Sequence, residues 1–244
     1  MADLPPGAPA GLRVEQGVLA SGSKGLRTFR LQAALKALKF DPGPPDGAFG
    51  LKTEEAIWAY QALRGVPVDG SVNTLLEANI LRDQPPAMLR PDLGPTHTEV
   101  DLDKQVLLVF RDNALQLVTH VSSGSGRHYC NKGHCGVAIT PTGDYHFQRR
   151  IAGVRVAPLG VLYNPVYFNG GIAVHGEGSV PRYPASHGCV RIPMFIGEYF
   201  PSLVNNGDAI SVFRGGPGGP NPAPVAPPPA GSTQPAPDPV LAGA

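Results

Sequence analysis

Prolines at 85, 86, 91 and 95 divide this chain into two stretches whose apolar residues recur with different periods. Each proline removes a backbone donor and fixes φ, so neither a helix nor a central strand runs through such a segment. Before it, Leu31, Ala34, Leu35 and Leu38 follow the i, i+3, i+4, i+7 spacing of an amphipathic helix. A second helix is expected at about 53–63 with Ala56, Ile57 and Tyr60 inward, and a third from the N-cap Asn73 through Leu75, Leu76 and Ile80. Beyond the prolines the period drops to two. Val100 and Leu102, the run 105–110, a turn at Asp112 and Asn113, the run 115–122 and a closing run at Ser211, Val212 and Phe213 read as strands. The expected architecture is a small all-α three-helix bundle followed by a mainly β, sandwich-like domain. Its divisions are a leader at 1–21, a helical module at 22–82, a linker at 83–96, a β domain at 97–213 and a tail at 214–244. The tail is almost entirely Pro, Ala and Gly and cannot bury a core.

A formal net charge of +1 argues against nucleic acid as a partner and leaves substrate recognition to shape and specific contacts. No apolar run reaches membrane-spanning length, and residues 1–30 hold none of signal-peptide length. Of three cysteines, Cys130 and Cys135 lie close together while Cys189 stands apart, which suits one disulfide and one free thiol. A zinc site using His128 and His134 with the same two cysteines is the alternative. A disulfide wants an oxidising exterior, so an extracytoplasmic setting is expected, with an export signal not visible in these residues.

The chemistry concentrates in residues 170–193, GGIAVHGEGSVPRYPASHGCVRIP. His175 ends an apolar run, Ile172, Ala173 and Val174, that would place it at the end of a rigid strand, and it precedes Cys189 by 14 residues. His187 lies two residues before Cys189. Three readings are open: a small buried cysteine beside structural histidines, a metal site on His175, His187 and Cys189, and a nucleophilic thiol with a histidine base. Gly188 permits a tight turn in which successive backbone N–H groups converge, as an oxyanion hole requires.

SHGCVR, preceded by a strand ending in HG, resembles the signature of the L,D-transpeptidase catalytic domain (YkuD type), whose members cross-link bacterial peptidoglycan. TPTG at 140–143 and VSSGSG at 121–126 extend the resemblance over roughly 97–213. It implies Cys189 as nucleophile, His175 as general base and acid, and Gly176 as the carbonyl that orients the imidazole. His187 and Gly188 form the oxyanion turn with Cys189, and Ser186 and Arg191 complete the motif as substrate contacts. A protonated His175 is expected to lower the Cys189 pKa toward 7 or below. Tyr163, Tyr167 and Phe168 precede the catalytic strand and read either as a groove wall or as β core. The His-to-Cys spacing of 14 is at the short end of the family's range, so the loop 177–185 over the site is expected to be trimmed.

The helical stretch resembles the peptidoglycan-binding domain 1 family over about residues 22–82. It also echoes itself, LQAAL at 31 and YQALR at 60 each being followed by a DG turn, at Asp46 and Asp69. Trp58 reads as a sugar platform or as core. Together these imply an extracytoplasmic transferase acting on stem peptides and glycan of peptidoglycan, without metal or organic cofactor. An L,D-carboxypeptidase on the same stems and a non-catalytic wall-binding protein are the alternatives.

Overall fold

The computed structural model describes residues 6–131 and 133–215; most of the expected tail therefore lies outside the described residues. Helices α1 (Leu26–Ala37), α2 (Leu51–Arg64) and α3 (Thr74–Arg82) form a helix-rich N-terminal part, and the sheets follow. The apolar stripe of α1 is buried as its spacing requires, with Leu31 and Leu35 fully inaccessible. Asn73 caps α3, its Oδ1 accepting from Leu76 N–H at 2.8 Å. Gly25, at the N-cap of α1, has no side chain to cap with. Glu15 does so from upstream, its carboxylate accepting from Arg27 N–H at 2.8 Å and Thr28 N–H at 3.0 Å. Leu19 is fully buried and pairs with Val72. Part of the stretch expected as a leader is thus packed onto the helices. A single apolar residue and a remote cap carry no periodicity, so neither was visible.

The echo has a structural cause. Gln32 Nε2 donates to Asp46 Oδ1 at 2.9 Å while its Oε1 accepts from Gly47 N–H at 2.8 Å. Gln61 repeats this with Asp69 at 2.9 Å and Gly70 N–H at 3.0 Å. Each helix clamps its own DG turn through a buried amide.

The first sheet has the order β3-β2-β1-β12-β6, built from β1 (His97–Asp101), β2 (Val106–Arg111), β3 (Ala114–His120), β6 (Gly143–His146) and β12 (Ala209–Phe213). The second has the order β11-β10-β9-β7, with β8 pairing a further stretch of β9; its strands are β7 (Arg149–Arg150), β8 (Val154–Ala157), β9 (Gly160–Asn169), β10 (Ile172–Glu177) and β11 (Val190–Pro193). A hairpin of β4 (His128–Asn131) and β5 (His134–Val137) stands apart. Leu107 and Val109 of the first sheet share a core with Val166, Val174 and Val190 of the second. The other parity of β2, Val106, Leu108 and Phe110, faces the helices and joins Leu35, Phe40 and Tyr60. The continuous apolar run of β2 is explained: it is buried on both faces. The helices therefore share a core with the first sheet. The linker is tied down as well, Glu99 accepting from Leu89 and Arg90 N–H at 2.9 and 2.7 Å.

Helix α4 (Met194–Leu203) was not anticipated. Its sequence, MFIGEYFPSL, contains Gly197 and Pro201 and lacks a capping side chain, so propensity argues against it. Burial of Ile196, Gly197 and Phe200 overrides that. A Cβ on Gly197 would stand 2.6 Å from the Gly176 Cα, so only glycine allows helix and strand to approach this closely.

Candidate active site

β10 and β11 run parallel with His175 opposite Arg191 and Val174 opposite Val190. This register sets Cys189, just before β11, beside Ala173, two residues from His175. Ala173 is fully buried and Cys189 packs partly against it. His175 is only 4% exposed. Its Nδ1 lies 2.9 Å from the Gly176 carbonyl oxygen. A carbonyl only accepts, so Nδ1 carries the proton and Nε2 keeps its lone pair. Gly176 is in turn pinned between the Tyr163 ring and Gly197.

The turn before Cys189 is fixed by hydroxyls. Ser186 Oγ donates to the Cys189 carbonyl at 2.6 Å and accepts from Gly188 N–H at 3.0 Å. Thr140 Oγ1 donates to the Gly188 carbonyl at 2.7 Å and accepts from Gly124 N–H at 2.8 Å. One threonine thus joins TPTG, VSSGSG and SHGC. Gly188 has φ +140, and a Cβ there would stand 2.8 Å from the Ile139 carbonyl oxygen, so the position accepts only glycine. Ser186 is buried, and its hydroxyl is committed to the turn. It serves the cysteine's position before any substrate.

His175 and Cys189 line one cavity of about 530 Å³, together with His187, Gly188, Tyr167 and Arg191. Tyr163 does not line it. Two tyrosines four apart on a regular strand share a face, but the β9–β10 register shifts between Val174 and Gly176. The extra residue lies in the Asn164–Pro165 stretch of β9, where Asn164 has φ +47. Tyr163 is thereby turned onto Gly176, away from the cavity. Tyr167 remains in the wall, with the Arg149 guanidinium stacked 3.5 Å from its ring centroid. Phe168 is fully buried in the core between the sheets.

Sequence reasoning missed Tyr129, Arg149 and Arg155, which also line the cavity. No motif marks them. Tyr129 lies on the β4–β5 hairpin, where Cys130 and Cys135 are directly paired and joined by a disulfide. This consumes the two thiols that a zinc site would need. The ring of Tyr129 meets His187 edge-on at 4.9 Å. Among the described residues no cluster of three or more His, Cys, Asp or Glu could hold a metal ion. The loop 177–185 is anchored toward the helices. His120 Nε2 lies 3.0 Å from the Pro181 carbonyl oxygen, and Arg182 bonds the Val68 carbonyl and stands 5.4 Å from the Trp58 ring.

Electrostatics differ from the expected ion pair. Burial pushes the Cys189 thiol up, and Arg191 and a bond to the Ala173 backbone only partly oppose it. Burial also lowers His175 to about 4, the Gly176 carbonyl opposing and the Arg191 charge adding to the fall. Both groups are therefore neutral near pH 7. The thiol sits 3.9 Å from the Gly171 carbonyl, and no hydrogen bond joins it to the imidazole among the described residues.

Residues 95–212 match the family model of the L,D-transpeptidase catalytic domain, and residues 26–77 match that of a peptidoglycan binding domain. An L,D-transpeptidase structure from Xylanimonas cellulosilytica is 32% identical, with a TM-score of 0.74, covering 82% of this chain and 100% of that one. An L,D-transpeptidase from Stackebrandtia nassauensis is 22% identical with a TM-score of 0.44, over 84% of this chain and 97% of that one. No curated protein matches. The signature residues meet in one cavity and a 32% identical relative spans most of the fold: this chain belongs to the L,D-transpeptidase family.

Proposed function

We propose that this chain is a peptidoglycan L,D-transpeptidase in which Cys189 is the nucleophile and His175 its base. The observation that carries the reading is the His175 tautomer. A neutral imidazole with Nδ1–H fixed on Gly176 O leaves Nε2 free to take a proton, on a strand that runs beside the free cysteine.

The thiol turns from the Gly171 carbonyl toward Nε2 as the stem tetrapeptide enters. Sγ attacks the peptide carbonyl before the terminal D-alanine while its proton passes to Nε2. The C–N bond then breaks, His175 returns the proton to the departing D-alanine nitrogen, and a thioester remains on Cys189. An amine from a second stem attacks the thioester. A new amide forms, the C–S bond breaks, and the proton lost from nitrogen reaches sulfur through His175. Because Gly188 N–H is committed to Ser186, the backbone N–H groups of His187 and Cys189 are the candidate oxyanion donors. A donor of this kind is typically worth about 10²- to 10³-fold in rate.

Tyr167 and Arg191 serve as substrate contacts in this reading. The helical part at 22–82 holds glycan or stem peptide, the unit at 97–213 performs the chemistry as a sandwich-like domain, and 83–96 connects them. The setting is extracytoplasmic; no described helix is long and apolar enough to cross a membrane. Mass spectrometry of purified muropeptides after incubation with the protein tests the reading. Cross-linked dimers with loss of D-alanine are expected. Tripeptide alone would make the enzyme a carboxypeptidase, and unchanged stems would overturn both.

A further inference from the structure

A second cavity of about 550 Å³ opens between the helices and α4, beside the site just described. Glu55, Glu177 and Glu198 line it. Glu55, on α2, is 7% exposed and has no hydrogen bond or ion pair with any described residue. A buried carboxylate without a partner is costly to keep, whereas an exposed acidic cluster would simply be solvated. The cost is relieved either by holding a proton or by an arriving cation. Lys52 lines the same cleft and its charge favours the Glu55 carboxylate at a distance, but its ammonium rests 4.8 Å from the Phe195 ring centroid and forms no ion pair with Glu55.

Glu177 lines both cavities. It directly follows the His175–Gly176 pair on β10 and is the acidic divider between two fields of opposite sign. On one side Arg149, Arg155 and Arg191 line the cysteine cavity, the Arg191 Nε lying 3.9 Å from Glu177 Oε2. On the other side lie Glu55 and Glu198. Arginines suit a donor stem carrying carboxylates. The acidic side suits a substrate arriving as an ammonium.

We propose that this interdomain cleft is the binding site for the acceptor, a stem peptide carrying a free primary amine, held as its ammonium by Glu55 with Glu198 and Glu177 at the rim. The inference rests on the transferase reading above. The bound ammonium sheds one proton to solvent as it passes Glu177 toward the thioester, so that a neutral amine attacks.

The test separates binding from chemistry by using the Cys189→Ala protein. Calorimetry with an acceptor tripeptide bearing a free side-chain amine is expected to show binding that disappears when that amine is acetylated. Added Glu55→Gln or Glu198→Gln should weaken it, Glu55→Gln by about tenfold or more, the scale of one charge-assisted contact. Glu55→Gln is isosteric, and Glu198 is exposed, so at least one variant reports on a folded protein. Equal binding of the acetylated peptide, or affinity unmoved by both substitutions, would overturn the cleft. A wall disaccharide that displaces the peptide, and whose own binding both substitutions weaken, would do the same and assign the cleft to glycan. Whether the wild-type protein forms a thioester with donor alone is read separately. Its absence would remove the transferase reading without touching the binding result.

Discussion

The Thr140 hydroxyl donates to the carbonyl of Gly188, 48 residues away, at 2.7 Å, and its own acceptor function is filled by Gly124 N–H at 2.8 Å. Thr140→Val keeps the shape and orphans two buried backbone groups. A loss of about 1–3 kcal/mol in stability is expected, together with slower acylation of Cys189, because the turn that presents the thiol loses its brace. Urea denaturation and single-turnover mass spectrometry check the pair. Full activity in a destabilised variant would show that the brace serves folding alone.

Gly197 and Gly176 meet backbone to backbone. Gly197→Ala introduces a Cβ 2.6 Å from the Gly176 Cα, which should cost about 1–3 kcal/mol as an overpacked contact. It should also move the carbonyl that holds the His175 Nδ1 proton. The expected signature is a fall in kcat greater than any change in KM, since the base is misaligned while the cavity walls stay. Nitrogen NMR of the His175 ring, still showing Nδ1–H with unchanged turnover, would contradict it.

The pH dependence follows from burial. With the Cys189 thiol pushed up and His175 held down to about 4, alkylation of free Cys189 by iodoacetamide should be slow at pH 7 and rise on the alkaline side. A plateau reached below pH 7 would reveal a preformed thiolate–imidazolium pair. His120, also lowered by burial to about 4, adds a stability effect of the same sign. The unfolded chain binds these protons near the ordinary imidazole value of 6.5 and the folded chain only near 4. Stability should therefore fall as pH drops through that window. Glu55 runs the other way. Burial raises it to about 7, so the folded state holds its proton longer than the unfolded one and loses stability as pH rises from 4.5 to 7. Glu55→Gln should accordingly raise Tm at pH 8 and change it little at pH 4.

The Cys130–Cys135 bridge closes a short hairpin loop, worth about 2 kcal/mol in the chain-entropy model, and it supports Tyr129 at the cavity wall. Replacing both cysteines with serine should lower Tm by only several degrees, about 4–8 °C for about 2 kcal/mol in a chain of this size, while raising KM for the donor stem. A large drop in Tm would give the bridge a global role.

The sequence made the candidate site legible and hid much of what positions it. His175 and Cys189 stood out because a reactive thiol needs a base, and SHGC announced the turn. The choice between groove wall and core could not be made for Tyr163, since a bulge reverses the facing of every residue beyond it and a single Asn-Pro pair does not reveal one. α4 was invisible because its glycine and proline speak against a helix that only packing on β10 and β9 stabilises. The helical stripe of α1 was read directly from spacing, yet the capping of that helix by Glu15 could not be, being a contact between residues with no periodic relation. The shared core of helices and sheet was written in the unbroken apolar run of β2, where both parities are apolar for two different partners.

Cys189 as the covalent nucleophile is tested most directly by intact mass spectrometry of the protein after brief incubation with a stem tetrapeptide. The account predicts an adduct of the acyl tripeptide mapped to Cys189, free D-alanine in equal amount, and neither in Cys189→Ala. Release of D-alanine by the Cys189→Ala protein at the wild-type rate would contradict it.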